Sequence, residues 1–362
     1  MNRFSSHCCI AHCYADARDC VQGLLRAAPK VLFIGTVGID ANSLYYPMLL
    51  ADTPNVEFRF IVEQRPNVSA SLIELGDRHR AFLEHEIDRS RRYFHDVSII
   101  SEDGATVAGR NAVRTAEPWF QSGLTDIVID ATGMSRGTCF PIVRQACQIG
   151  IESGANVHLL VASSDHRTLK LRTESNDRAD WLHGFQGEMG TDQMSDAFKL
   201  WVPQLTEGAG NQMNAIFSEL MPTAEVCPII PFPSSNPRRG DELLFEYSDV
   251  LSGRWDSSPL NLIYAHESDP LDVFRSITRM SVARSHVFIG HQERAVTVLS
   301  PAGWRIGSLG MLLAAIDLEL PILYVETIGY NSASGVSKSV AVPDPDHMWH
   351  IWLAGAPYAN EP

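Results

Sequence analysis

DIVIDATGMSRGTCFPIVRQA, Asp126 to Ala146, has a counterpart later in the chain, VTVLSPAGWRIGSLGMLLAAI, Val296 to Ile316. Each is a short apolar run, a small or hydroxyl residue, a Gly-x-x-x-Gly turn with an arginine inside, and then a helix-like run. With Gly133 set on Gly303, Gly137 falls on Gly307. The reading is a buried strand that turns through glycine into a helix. The first turn of a helix has unpaired N–H groups and a partial positive charge, so such a turn is built to receive an anion.

Working outward, Val31 to Ile34 is an apolar strand running into Gly35-Thr36-Val37-Gly38, with a helix from Leu44 to Leu50. Val56 to Val62 is β-rich, residues 69–94 read as a charged helix, and Val97 to Ile100 and Val157 to Val161 are further strands. Residues 164–222 are polar and show no clear strand, although Trp181, Phe185 and Trp201 indicate a packed connector. Strands then recur at Val226 to Phe232, Leu262 to Ala265, Val296 to Leu299 and Ile322 to Val325, with a helix at Asp241 to Leu251. Alternating buried strands and helices predict an α/β protein of two Rossmann-like halves with mainly parallel sheets, joined by a helical or irregular connector. The expected boundaries are a leader at 1–29, a first half at 30–163, the connector at 164–222, a second half at 223–330 and a loop-like tail at 331–362.

At 362 residues the chain exceeds the usual size of a single core. Its net charge of −14 disfavours an extended nucleic-acid surface, which needs clustered Lys and Arg. The most apolar stretch, Leu309 to Val325, is broken by Asp317, Glu319 and Pro321, so no membrane span is expected, and the chain reads as cytoplasmic. Four of the seven cysteines, Cys8, Cys9, Cys13 and Cys20, crowd the amino end with His7 and His12. Their spacing is not that of paired zinc ligands, and the expectation is a reduced chain without a metal site.

Ligands of open α/β sheets lie beyond the carboxyl ends of the strands. The candidate ligand-binding residues are therefore Gly35, Thr36, Gly38, Thr132, Gly133, Ser135, Arg136, Ser300, Gly303 and Arg305. Further loops at Phe232 to Arg239 and His266 to Asp269 lie at other strand ends. His266 and Glu267 are the candidate catalytic pair, since a histidine beside a carboxylate can move protons. Asp269 before Pro270 reads instead as a helix cap. Gly35-Thr36-Val37-Gly38 lacks the third glycine of a dinucleotide fingerprint, which leaves Glu63 a poor ribose-binding acid. No P-loop or H-E-x-x-H sequence occurs. The sequence names no cofactor.

The strand and turn at Val31 to Gly38, and Ile129-Asp130-Ala131-Thr132-Gly133 with Ser135-Arg136, resemble the CRISPR-associated Rossmann-fold (CARF) sensor domains. Ser300-Pro301-Ala302-Gly303-Trp304-Arg305 repeats the likeness. The turns differ from that family's in lacking its Gly-Gly pair and lysine. The resemblance implies a cyclic oligonucleotide second messenger as ligand and a place in prokaryotic defence. Three readings follow from the sequence. One is a ligand-sensing or scaffold protein that binds an anionic, nucleotide-like molecule. Another is a two-domain enzyme acting on a nucleotide or nucleotide-sugar. The third is a structural subunit of a larger complex or homo-oligomer.

Overall fold

The computed structural model describes residues 9–164, 171–187, 197–220, 224–258, 260–288, 295–332 and 340–358. The chain forms two compact units. The host unit comprises Cys9–Glu174 and the described residues from Thr327 on; the inserted unit falls within Ser175–Glu326.

In the host unit, strands β1 (Ala11–Cys13), β2 (Val31–Thr36), β3 (Val56–Gln64), β5 (Arg92–Ser98), β6 (Asp126–Asp130), β7 (Asn156–Ser163) and β15 (His347–Ala354) form one sheet. Its spatial order is β1-β15-β7-β6-β2-β3-β5. The five strands from β7 to β5 pair in parallel, while β15 and β1 add antiparallel at one edge. Taken in chain order, the parallel strands stand third, second, first, fourth, fifth. That is the strand order of a Rossmann half. Helices α1 (Tyr14–Ala27), α2 (Tyr45–Leu50), α3 (Ala70–Glu86), α4 (Ala108–Ala116) and α5 (Arg136–Ser153) flank the strands in sequence, and a short strand β4 (Asn67–Val68) follows β3.

All six residues of β2 are buried, as a central strand covered on both faces requires. Phe33 on β2 packs against Phe58 on β3 with ring centroids 5.3 Å apart, and Phe58 stacks on Phe60 at 5.9 Å. Each such ring contributes about 1.5–3 kcal/mol through burial. Ala17, Val21 and Leu25 of α1 close the same core over Leu160, Ala162 and Met348.

The inserted unit repeats the plan. Its strands are β9 (Phe198–Pro203), β10 (Ala224–Val226), β11 (Ile229–Pro231), β12 (Ile263–Ala265) and β13 (Ala295–Ser300), with β14 (Leu323–Ser332) beginning here. β10 and β13 flank β9 in parallel, and β12 lies parallel to β11. Parallel bridges Gln204–Ile229 and Leu299–Ile322 extend the series. With β10 and β11 as one interrupted strand, the order is again third, second, first, fourth, fifth. Helices α6 (Gly210–Leu220), α7 (Arg239–Glu246), α8 (Ser248–Ser252), α9 (Pro270–Val287) and α10 (Arg305–Asp317) connect these strands. Trp201, Phe217, Tyr247 and Trp255 fill its core. The two Gly-x-x-x-Gly turns join the fourth strand to its helix in both units.

Three expectations are corrected. The 164–222 connector contains β9, the central strand of the inserted unit, and all of β8 (Leu171–Trp181). Lys199 breaks the apolar run in β9, yet it is buried with the rest of that strand's interior. The tail is not loop-like: β15 is an eight-residue strand of the host sheet, and β1 draws the leader into the same sheet. The 69–94 helix ends at Glu86, because Arg92 to Phe94 already pair with β3.

Candidate functional site

The strand order reverses between β2 and β6 in the host unit, and between β9 and β13 in the inserted unit. These are the switch points where the fold leaves a crevice. In the host unit the loop after β2 and the loop after β6 meet closely. A Cβ on Gly133 would lie 2.8 Å from Thr36 Cγ2 and 2.8 Å from Ser43 Cβ, so only glycine fits. In the inserted unit Gly303 has φ +74°, and a Cβ there would lie 2.8 Å from Thr206 Cβ. It is required there both by backbone conformation and by space.

Several predicted ligand contacts are spent inside the fold. Thr36 Oγ1 donates to the Ile61 carbonyl at 2.7 Å. The Thr132 hydroxyl donates to Asp130 and accepts the Ala162 N–H at 2.9 Å. Ser300 Oγ accepts from Trp201 Nε1 at 2.8 Å and donates to the Leu323 carbonyl at 2.7 Å. Thr132 and Ser300 are buried and lock strand ends. Gly38 accepts a hydrogen bond from His79 through its carbonyl at 2.6 Å. Gly35 is buried beside the Phe33 ring.

The amino end of α5 is already met by a carboxylate. Glu63, at the end of β3, accepts the Ser135 N–H at 2.9 Å and pairs with Arg65 at 2.7 Å. Burial opposes the charge on Glu63, but Arg65 and the Ser135 hydrogen bonds outweigh it and hold the carboxyl below its ordinary range. Arg136 opens the helix and is half-buried.

The corresponding turn in the inserted unit differs. Arg305 opens α10 and is half-buried. Trp304 is buried, and its Nε1 has no hydrogen-bond partner among the described residues. Gln204 donates to the Trp304 carbonyl at 3.1 Å and accepts from Ser308 at 2.9 Å, tying the loop after β9 to the start of α10.

His266 and Glu267 do not form a working pair. His266 Nδ1 accepts the Ser268 N–H at 3.1 Å, within its own loop. Glu267 accepts the Ser235 N–H at 2.8 Å and pairs with Arg239, which also holds Glu207 at 2.8 Å. Burial raises the Glu207 carboxyl, but its bonds to Arg239 lower it further, below the usual range. Both residues lie in the turn after β12, and each is bonded to a different partner. Asp269 does cap α9, accepting from the Leu271 N–H at 2.8 Å and the Asp272 N–H at 3.3 Å.

At the opposite end of the host sheet a cleft of about 170 Å³ is lined by Lys30, Leu32, Asn55, Glu57, Arg91 and Trp119. It is remote from the strand carboxyl ends. The residues suited to a metal are also away from the switch points: His12, Cys20 and His350, whose ligand atoms lie within 4.8 Å of one another. Burial, with His158 and His12 beside it, pushes His350 down to about 3. No sequence spacing flags this group, because His350 is 330 positions beyond Cys20.

The fold and these turns define the class: a two-unit α/β protein with Rossmann strand order in each unit. No protein-family model and no curated protein matches the chain. Among solved structures it aligns with a protein described as a universal stress protein from Pseudomonas aeruginosa UCBPP-PA14, at TM-score 0.25 and 12 % identity, over 84 % of this chain and 95 % of that one. It also aligns with the cytoplasmic domain of a prokaryotic cation chloride cotransporter, at TM-score 0.25 and 9 % identity, over 82 % and 95 % respectively. Strand order and register, rather than these alignments, carry the fold assignment. No helix among the described residues is long and apolar enough to cross a membrane.

Proposed function

We propose that the chain is a ligand-sensing or scaffold protein that binds an anionic, nucleotide-like molecule at its strand-end glycine turns. The inserted unit's turn at Ser300 to Arg305 is the preferred seat. The observation that carries this reading is the difference between the two turns. Glu63 already satisfies the start of α5, whereas the start of α10 keeps a buried indole N–H without a partner beside Arg305. An unmet buried donor costs about 1–3 kcal/mol, which a ligand oxygen would recover. The engagement of Glu267 by Arg239 and Ser235 favours binding over turnover.

The test is a thermal-shift and calorimetric screen of the full chain against ATP, AMP, UDP-glucose, linear oligoadenylate and cyclic oligoadenylate. The last is the ligand class implied by the CARF resemblance. A ligand at a hundred times its Kd stabilises by about 2.7 kcal/mol. Binding that is weakened by Arg305→Ala and by Trp304→Phe supports the reading. Binding indifferent to both variants, or none across the panel, sinks it. Chromatography of the bound ligand after incubation separates a sensor from the alternative enzyme on nucleotides or nucleotide-sugars.

A further inference from the structure

We propose that His12, Cys20 and His350 form a binding site for a divalent transition-metal ion of the zinc(II) class, one that fastens the β1–α1 segment to the host sheet. Strand register builds it. His12 on β1 stands directly opposite His350 on β15, and Cys20 of α1, which covers that sheet face, comes down beside them. His12 Nδ1 is 3.0 Å from His350 Nδ1, and Cys20 Sγ is 3.7 Å from the same atom. A tetrahedral zinc ion, with Zn–N about 2.0–2.1 Å and Zn–S about 2.3 Å, separates its ligand atoms by roughly 3.3–3.6 Å. The observed pair brackets that range. Mixed imidazole and thiolate donors favour zinc over calcium or magnesium.

The groups behind the site supply the second argument. His350 Nε2 lies 2.9 Å from His158 Nδ1, and His158 Nε2 lies 3.1 Å from Asp126 Oδ1. An ionised carboxylate only accepts, so His158 carries its proton on Nε2 and accepts at Nδ1. His350 must then donate from Nε2, which leaves the Nδ1 lone pair aimed at His12 and Cys20. A histidine whose second nitrogen is fixed by a chain ending on a carboxylate is the outer shell that metal-binding histidines use. Asp126 also accepts from Asn156 Nδ2 at 3.0 Å, which holds the end of the chain in place. His350 and His158 are buried, whereas His12 and Cys20 are half-buried, so an ion enters from their side and keeps one position for water.

The experiment uses the full chain stripped with a chelator and titrated with cobalt(II), then with zinc(II) in competition. One equivalent should bind, with a thiolate-to-cobalt charge-transfer band and the visible bands of a tetrahedral ion. Cys20→Ser should abolish the thiolate band, and His12→Asn should weaken binding at least about tenfold. Asp126→Asn, acting on a positioning residue, should weaken it roughly 10–100-fold. Melting curves in chelator establish that each variant is folded. X-ray absorption of the zinc-loaded wild-type chain provides a check independent of any variant and should report one sulfur with two imidazole nitrogens. No stoichiometric binding overturns the proposal. So does a thiolate band that survives Cys20→Ser, or a shell of several sulfurs, because the ion would then sit on other cysteines.

Discussion

Glu63 accepts the backbone N–H of Ser135 at 2.9 Å, so the end of the second strand supplies a carboxylate to the helix that follows the fourth. The host unit thereby satisfies from within the position where its fold would receive a ligand anion. Glu63→Gln keeps an acceptor for Ser135 but removes the ion pair of the Arg65 guanidinium, which is only 3 % exposed and still donates to the Thr327 carbonyl. The expected loss is about 1.5–3 kcal/mol in urea unfolding, as for a lost hydrogen bond to a charged group. A loss below about 0.5 kcal/mol would show that the Glu63–Arg65 pair does not organise this turn.

Ser300→Ala removes the acceptor of Trp201 Nε1 and the donor to Leu323. Stability should fall by about 1–3 kcal/mol while ligand affinity stays within about twofold, since the hydroxyl is already committed. Loss of affinity at unchanged stability would place Ser300 in the ligand site instead.

Gly133→Ala drives a methyl group into Thr36 and Ser43. Overpacking of this kind costs about 1–3 kcal/mol, read as a lower Tm. Gly303→Ala adds left-handed backbone strain to a similar clash with Thr206 and should cost at least as much. A neutral outcome at Gly133 would mean that the loops after β2 and β6 are not tightly joined.

His79 is buried and bonded to the Gly38 carbonyl. Burial, assisted by Arg78, lowers its pKa below the ordinary 6.5, against the opposing pull of Gly38 and Asp40. Above 6.5 neither the folded nor the unfolded chain holds this proton, and the contribution is complete. As pH falls below 6.5 the unfolded chain takes up a proton that the folded one refuses, so stability is lost until the lower folded pKa is passed. Between about pH 7 and about pH 5, His79→Gln should therefore show a shallower fall in Tm than the parent. Equal slopes would remove His79 from the account of acid sensitivity.

Much of the fold was legible because buried parallel strands are continuous apolar runs. Val31 to Ile34, Ile127 to Ile129 and Val296 to Leu299 were each readable in this way, and the paired glycines marked the strand-to-helix turns. Asp269-Pro270 was readable as a cap because capping is local chemistry. β9 was missed because Lys199 interrupts its pattern, and β15 because His347, His350 and two tryptophans make it look amphipathic and loop-like.

The sequence by itself determined the α/β class, the repeated strand–glycine–helix unit and the helix cap, since these depend on neighbours a few residues apart. Only the tertiary structure decided which polar groups remain for a ligand. It spent Thr132 and Ser300 on strand ends, set Glu63 on Ser135, and drew Glu267 to Arg239. It also brought His350 across the chain to His12 and Cys20. Such pairings follow from sheet register and strand order, which bring distant residues within hydrogen-bond reach without leaving a local spacing in the sequence.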